Sequence, residues 1–121
     1  MILALVLTAV DLLQKAHEPV YGHPRGPTYV VGAAVLAALV IAFVPQVPSR
    51  ALSLAGGVAA AGALGNLVSA LAWRGGVPNP IVVGEFAFNV ADICAVGGAV
   101  ALVLGAALFA LTHPALLREP I

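Results

Sequence analysis

Four apolar stretches, cut apart by short segments rich in proline and glycine, constrain this chain more than any other feature. The hydrocarbon core of a bilayer is about 30 Å thick, so a helix needs roughly 17 to 25 mostly apolar residues to cross it, and this chain has room for about four such helices. The composition agrees: 62% of the 121 residues are hydrophobic and 8% are charged, with a mean hydropathy of +1.10. A soluble domain carries roughly a quarter of its residues as charges, and a disordered chain needs the opposite balance altogether. The expectation is an all-α membrane protein with four transmembrane helices, forming one domain over residues 1–121.

The spans are expected at residues 1–15, 28–44, 51–73 and 89–112. The first is short and apolar up to Asp11, after which Leu12-Leu13-Gln14-Lys15 reaches an interface. It shows neither the basic start nor the small-residue cleavage site of a signal peptide clearly, and is expected to be a first helix. His17 to Pro27 holds three prolines and two glycines and is expected to be a loop outside the hydrocarbon. Pro45-Gln46-Val47-Pro48 stops the second span, and Ser49 is placed to cap the third. Trp73-Arg74 is an aromatic and basic anchor at the far interface. Gly75 to Phe88 is too broken by glycine and proline to be helical, and its Ile81-Val82-Val83 and Phe86-Ala87-Phe88 pieces suit a short extended segment. His113-Pro114 ends the fourth span.

Five Lys and Arg balance five Asp and Glu, which leaves no basic field for nucleic acid. One cysteine, Cys94, cannot close an internal disulfide, and no Cys/His spacing suggests a zinc site. No cofactor is expected. Arg50 and Arg118 fall on one side of the membrane and Lys15, Arg25 and Arg74 on the other, so charge does not set the orientation. Four crossings would gather Asp11, the outer segment and the start of the last span at one face.

That face carries the candidate site. Asp92 lies in the first turns of the fourth span, where an ionised carboxylate needs a partner or water, and Asn89 shares its helical face. Two readings stand side by side: a functional intramembrane acid, or a helix cap in which Asn89 accepts backbone N–H groups and Asp92 complements the helix dipole. On the third span Gly62, Gly65, Asn66 and Ser69 recur at helical spacing, a small and polar face suited to close packing against another helix. Asn66 is also able to hold a carboxylate or a bound segment. Asp11 and Lys15 are spaced to pair, or to serve as an interfacial anchor whose lysine snorkels to the headgroups.

Gly62-Ala63-Leu64-Gly65-Asn66 followed by Phe88-Asn89-Val90-Ala91-Asp92 resembles the signature blocks of the bacterial lipoprotein signal peptidases, signal peptidase II, and Asp11-Leu12-Leu13-Gln14-Lys15 is similar to that family's first-helix motif. The resemblance implies a multi-pass protein of the bacterial cytoplasmic (inner) membrane and an aspartic peptidase that cleaves before a lipid-modified cysteine. It places Asp92 on one of two catalytic aspartates, Asn66 and Asn89 on polar residues that organise the site, and Asp11 and Lys15 on a structural pair. The sequence departs from the pattern where the family's Asp-Arg pair is replaced by Ser69-Ala70. It departs again where the second aspartate is replaced by Pro78 or Asn79.

An aspartic dyad needs two carboxylates sharing one proton. Asp11 and Asp92 are the only aspartates of the chain, and Glu85 is the one acid of the outer segment able to stand in for the missing partner. Three readings are open. The first is a non-catalytic relative that serves as a membrane subunit or binds lipidated or hydrophobic segments, its partners being the bilayer and a lipoprotein or another membrane protein. The second is a working peptidase with an Asp92 and Glu85 dyad. The third is a proton- or ion-coupled transport component.

Overall fold

The structure, a computed structural model, describes residues 1–17, 26–43, 46, 49–115 and 118. It is mostly helical: α1 (Ile2–His17), α2 (Pro27–Phe43), α3 (Arg50–Ala72) and α4 (Val90–Thr112), with a two-stranded hairpin of β1 (Ile81–Val83) and β2 (Phe86–Phe88) between α3 and α4. The expected spans fall on these helices to within two residues at each end. Expectations about the loop at 18–25, the turn around Pro45 and Pro48 and most of the tail concern residues outside those described.

Two helices, α3 and α4, are long and apolar enough to cross a membrane, with mean hydropathies of 1.6 and 2.4 over their most apolar windows. The others are shorter, at 16 residues for α1 and 17 for α2. At 1.5 Å per residue they reach about 24 and 26 Å, a few ångströms less than the hydrocarbon thickness.

Each helix starts where its sequence allows. Pro27 opens α2 at a position where its missing N–H costs nothing. Ser49 caps α3 as expected, its hydroxyl accepting from the Leu52 N–H at 3.4 Å. Trp73 ends α3 in an extended conformation, and Gly76, at φ 102°, supplies the left-handed turn that sends the chain back across the end of the bundle. In the hairpin Val83 pairs with Phe86, which leaves Gly84-Glu85 as a two-residue turn whose first residue has φ 61°. Such turns need a residue tolerant of positive φ there, and glycine provides it.

The helix α3 is the centre: α1, α2 and α4 all pack on it, while α2 and α4 lean on α3 rather than on each other. Its small residues make that possible. A Cβ on Gly62 would strike the backbone of Ala91 and Ala95, and one on Gly98 would strike the backbone of Ala59. Farther along, a Cβ on Gly105 would meet the Leu52 side chain. As residue numbers fall along α3 they rise in step along α4, the register of two antiparallel helices in backbone contact. Without hydrophobic drive between helices in lipid, such close approach supplies much of the association energy. On the other side of α3, Ala60 and Ala61 pack with Ala4, Leu7 and Val40.

Candidate functional site

Where α1, α3, α4 and the 76–79 segment meet, polar side chains converge in an otherwise apolar bundle. Lys15 and Asp11, one turn apart on α1, form an ion pair at 2.6 Å with exposures of 0% and 1%. The interfacial-anchor alternative for this pair is therefore corrected: Lys15 does not snorkel to the surface. Its ammonium group has three donors and no acceptor, and it gives them to Asp11 Oδ2, Asn66 Oδ1 at 3.1 Å and Ser69 Oγ at 2.9 Å. Ser69 in turn donates to the Gly65 carbonyl at 2.6 Å. The α3 face of small and polar residues thus does two jobs, since Gly62 and Gly65 admit α4 while Asn66 and Ser69 receive the lysine.

The start of α4 is held from three directions. Asn89 Oδ1 accepts from the Asp92 N–H at 2.9 Å, and Asp92 Oδ2 accepts from the Asn89 N–H at 3.1 Å, a reciprocal capping box. From α1, Asp11 Oδ1 accepts from the Ala91 N–H at 2.8 Å, satisfying another of the orphan donors that every helix start leaves. Asn66 Nδ2 donates to Asp92 Oδ1 at 2.7 Å. Asp92 is therefore both a capping residue and a member of the polar cluster. The capping reading is observed directly, and the other oxygen of the carboxylate is held by Asn66.

The outer segment enters through Asn79. Gly76, Val77, Pro78 and Asn79 are all buried, and Asn89 Nδ2 donates to the Pro78 carbonyl at 3.2 Å and to Asn79 Oδ1 at 2.8 Å. The sequence left Pro78 and Asn79 as alternatives; in space it is the Asn79 side chain that reaches the cluster, with Pro78 contributing its carbonyl. Glu85 goes elsewhere. It is exposed at the hairpin tip, four residues and about 13 Å of extended chain from Asn89, with no hydrogen bond or ion pair to the cluster. The Glu85 and Asp92 pairing that the second reading needs is not formed in this structure, because the hairpin turn carries Glu85 outward.

Sequence reasoning passed over the Ser69 hydroxyl as a lysine partner and the Ala91 amide as a partner of Asp11. Ser69 lies one turn beyond Asn66 on α3, but no spacing shows that Lys15 is buried there and needs three acceptors. Two shallow apolar grooves flank the cluster. One, of about 460 Å³, runs from Asp92 past Phe88, Ile93 and Val96. The other, of about 270 Å³, lies between α2 and α4 with Gly62 and Asn66 in its floor and Gly32, Leu36 and Ala95 in its walls. A hollow of about 510 Å³ around Ser49, Arg50 and Ser53 is at the opposite end of α3, away from this chemistry. Among the described residues no three His, Cys, Asp or Glu side chains come together as metal ligands.

Two helices long and apolar enough to cross a bilayer, packed with a buried cluster of acid, amide and lysine, are features of a membrane protein with a polar site inside its helical bundle. Comparison with known families agrees and narrows the class: the sequence model of signal peptidase (SPase) II matches residues 21–109, most of the chain. The chain belongs to the signal peptidase II family. No curated protein and no solved structure matches it.

Proposed function

We propose that this protein is a non-catalytic member of the signal peptidase II family, a four-crossing protein of the bacterial inner membrane that keeps the family's polar pocket for binding lipidated or hydrophobic segments or for serving as a membrane subunit. The observation that carries the reading is Asn79. It is 2% exposed and hydrogen-bonded to Asn89, which itself brackets Asp92, and this supports reading Asn79 as an amide standing where a dyad needs its second acid. An amide cannot take a proton from water, and a lone carboxylate cannot share one. Among the described residues the other acids offer no substitute. Asp11 has both oxygens engaged, by Lys15 and by the Ala91 N–H, and Glu85 stands at the exposed hairpin tip.

The short helices α1 and α2 fit a four-crossing arrangement if the bilayer thins slightly around them, at a cost of fractions of a kcal/mol per ångström of mismatch. The test is a cleavage assay with purified protein and a diacylglyceryl-modified peptide, alongside a binding measurement on the same peptide. Binding without turnover is the expected result. Turnover abolished by both Asp92→Asn and Glu85→Gln would establish the peptidase reading instead.

A further inference from the structure

The hairpin between α3 and α4 has no helix packed behind it. The four helices pack on one another, whereas β1 and β2 contact chiefly each other. Two antiparallel strands alone are at best marginally stable in water, and a sheet with one face in water alternates apolar with polar residues. This hairpin carries no polar side chain on either face of its strands. With Ile81 opposite Phe88 and Val83 opposite Phe86, those four side chains share one face, and Val82 and Ala87 share the other. Exposure rises toward the tip, to 60% at Val83 and 77% at Phe86. Such a patch calls for an apolar cover, which the described residues do not supply.

The position of the hairpin identifies that cover. Trp73 and Arg74, an aromatic and basic pair of the interfacial kind, end α3, and the antiparallel α4 starts at the same end, directly after β2. Phe88 lines one groove with Ile93 and Val96, and from there Val100, Val103 and Leu104 continue along α4 as an exposed apolar stripe. The Ile81, Val83, Phe86 and Phe88 face thus extends the surface that α4 turns to lipid. Polar groups set its depth. Each strand is paired on one side only, so its outer N–H and C=O groups need water or headgroups, and so does the carboxylate of Glu85 in the turn. An apolar face with polar groups beside it settles at the boundary of headgroups and acyl chains. We propose that the hairpin lies on the bilayer as an interfacial wedge, with Val83 and Phe86 pressed into that boundary and Val82 turned away from it. The inference rests on the reading of α3 and α4 as membrane-crossing helices, and it gives the lipid surface as partner to a segment which that reading leaves unassigned.

Trp73 is the only tryptophan, so Trp73→Phe provides a background for single probes introduced as Phe86→Trp, Val83→Trp, Val82→Trp or Val100→Trp. All four positions are exposed and tryptophan suits a strand, so the fold is expected to be kept, with circular dichroism as the check. Val100 lies about 15 Å along α4 from its start, half of the hydrocarbon thickness. The protein is placed in phosphatidylcholine vesicles whose acyl chains are brominated either near the headgroups or near the chain ends. Phe86→Trp and Val83→Trp are expected to emit blue-shifted fluorescence, quenched most by bromine near the headgroups. Val82→Trp should be quenched less, and Val100→Trp most by bromine near the chain ends. Unquenched, solvent-like emission from Phe86→Trp and Val83→Trp overturns the wedge, as does stronger quenching of Val82→Trp. A blue shift without quenching also overturns it, because the cover would then be protein. Each of these results leaves the membrane reading standing where Val100→Trp responds to bromine at the chain ends. An unquenched Val100→Trp overturns that reading and the wedge with it.

Discussion

Replacing Lys15 by methionine keeps the side-chain length, removes the charge and deletes three hydrogen bonds. Ser69 keeps its bond to the Gly65 carbonyl, but Asp11 Oδ2 and Asn66 Oδ1 lose the donor that faces them. Because Asp11 is 1% exposed, its carboxylate is left buried without its cation, a loss of about 3 to 5 kcal/mol in comparable pairs. The orphaned Asn66 carbonyl adds about 1 kcal/mol. For a chain of this length the total stability is on the order of 6 to 18 kcal/mol, so the effect is a large share of it. Trp73 is the only tryptophan and sits at the end of α3 beside this region, which makes its fluorescence a suitable probe of reversible unfolding in mixed detergent micelles. The companion variant Lys15→Met with Asp11→Leu removes both charges, after which the Ala91 N–H and the Asn66 carbonyl lack their partners but no buried charge is left unpaired, and it should recover about 2 kcal/mol of the loss. A single variant within about 1 kcal/mol of wild type, as for a solvated ion pair, with no recovery in the double, would refute the buried-lysine argument.

Gly62→Ala should destabilise by about 1 to 3 kcal/mol, because the added methyl meets the Ala91 and Ala95 backbone, whereas Gly57→Ala faces open space and should be neutral or mildly stabilising; the same unfolding assay compares them. Asn79→Asp places a second carboxylate beside Asn89, and in the peptidase assay it should give cleavage above the wild-type baseline that Asp92→Asn removes. Glu85→Gln should leave stability and peptide binding unchanged within about 0.5 kcal/mol, since the side chain is exposed and makes no contact with the cluster.

The helices and the hairpin were legible because hydropathy, proline and glycine act locally, and the boundaries of α3 follow from Ser49 and Trp73 alone. The α3 and α4 contact was half legible. The small-residue face on α3 shows in the sequence, but its counterpart at Ala91, Ala95 and Gly98 lies in an equally small-residue helix with no periodicity to single it out. The burial of Lys15 was hidden for a different reason: spacing reveals Asp11, but the other two acceptors lie 51 and 54 residues away on another helix. The choice between Pro78 and Asn79 depended on where the 76–79 segment crosses the bundle end, which no pattern in a proline-flanked loop encodes.

Both aspartates, all three asparagines and the only lysine of this chain stand in one cluster. In an interior this apolar, each such residue is tolerable only because another satisfies it, so removing any one raises the cost of keeping the rest. A pocket of this kind persists without catalysis, because Lys15, Asp11 and Asn89 hold helix ends together whether or not a second carboxylate is present. The presence of Asp92 is therefore no evidence of turnover, since one of its oxygens caps α4 and the other fixes Asn66. On the proposed reading, what separates a retained enzyme from a retained scaffold is Asn79, whose side chain is bonded by Asn89 among the described residues. Exchange of its amide for a carboxylate changes the acid–base chemistry of the pocket while leaving the lock among α1, α3 and α4 intact.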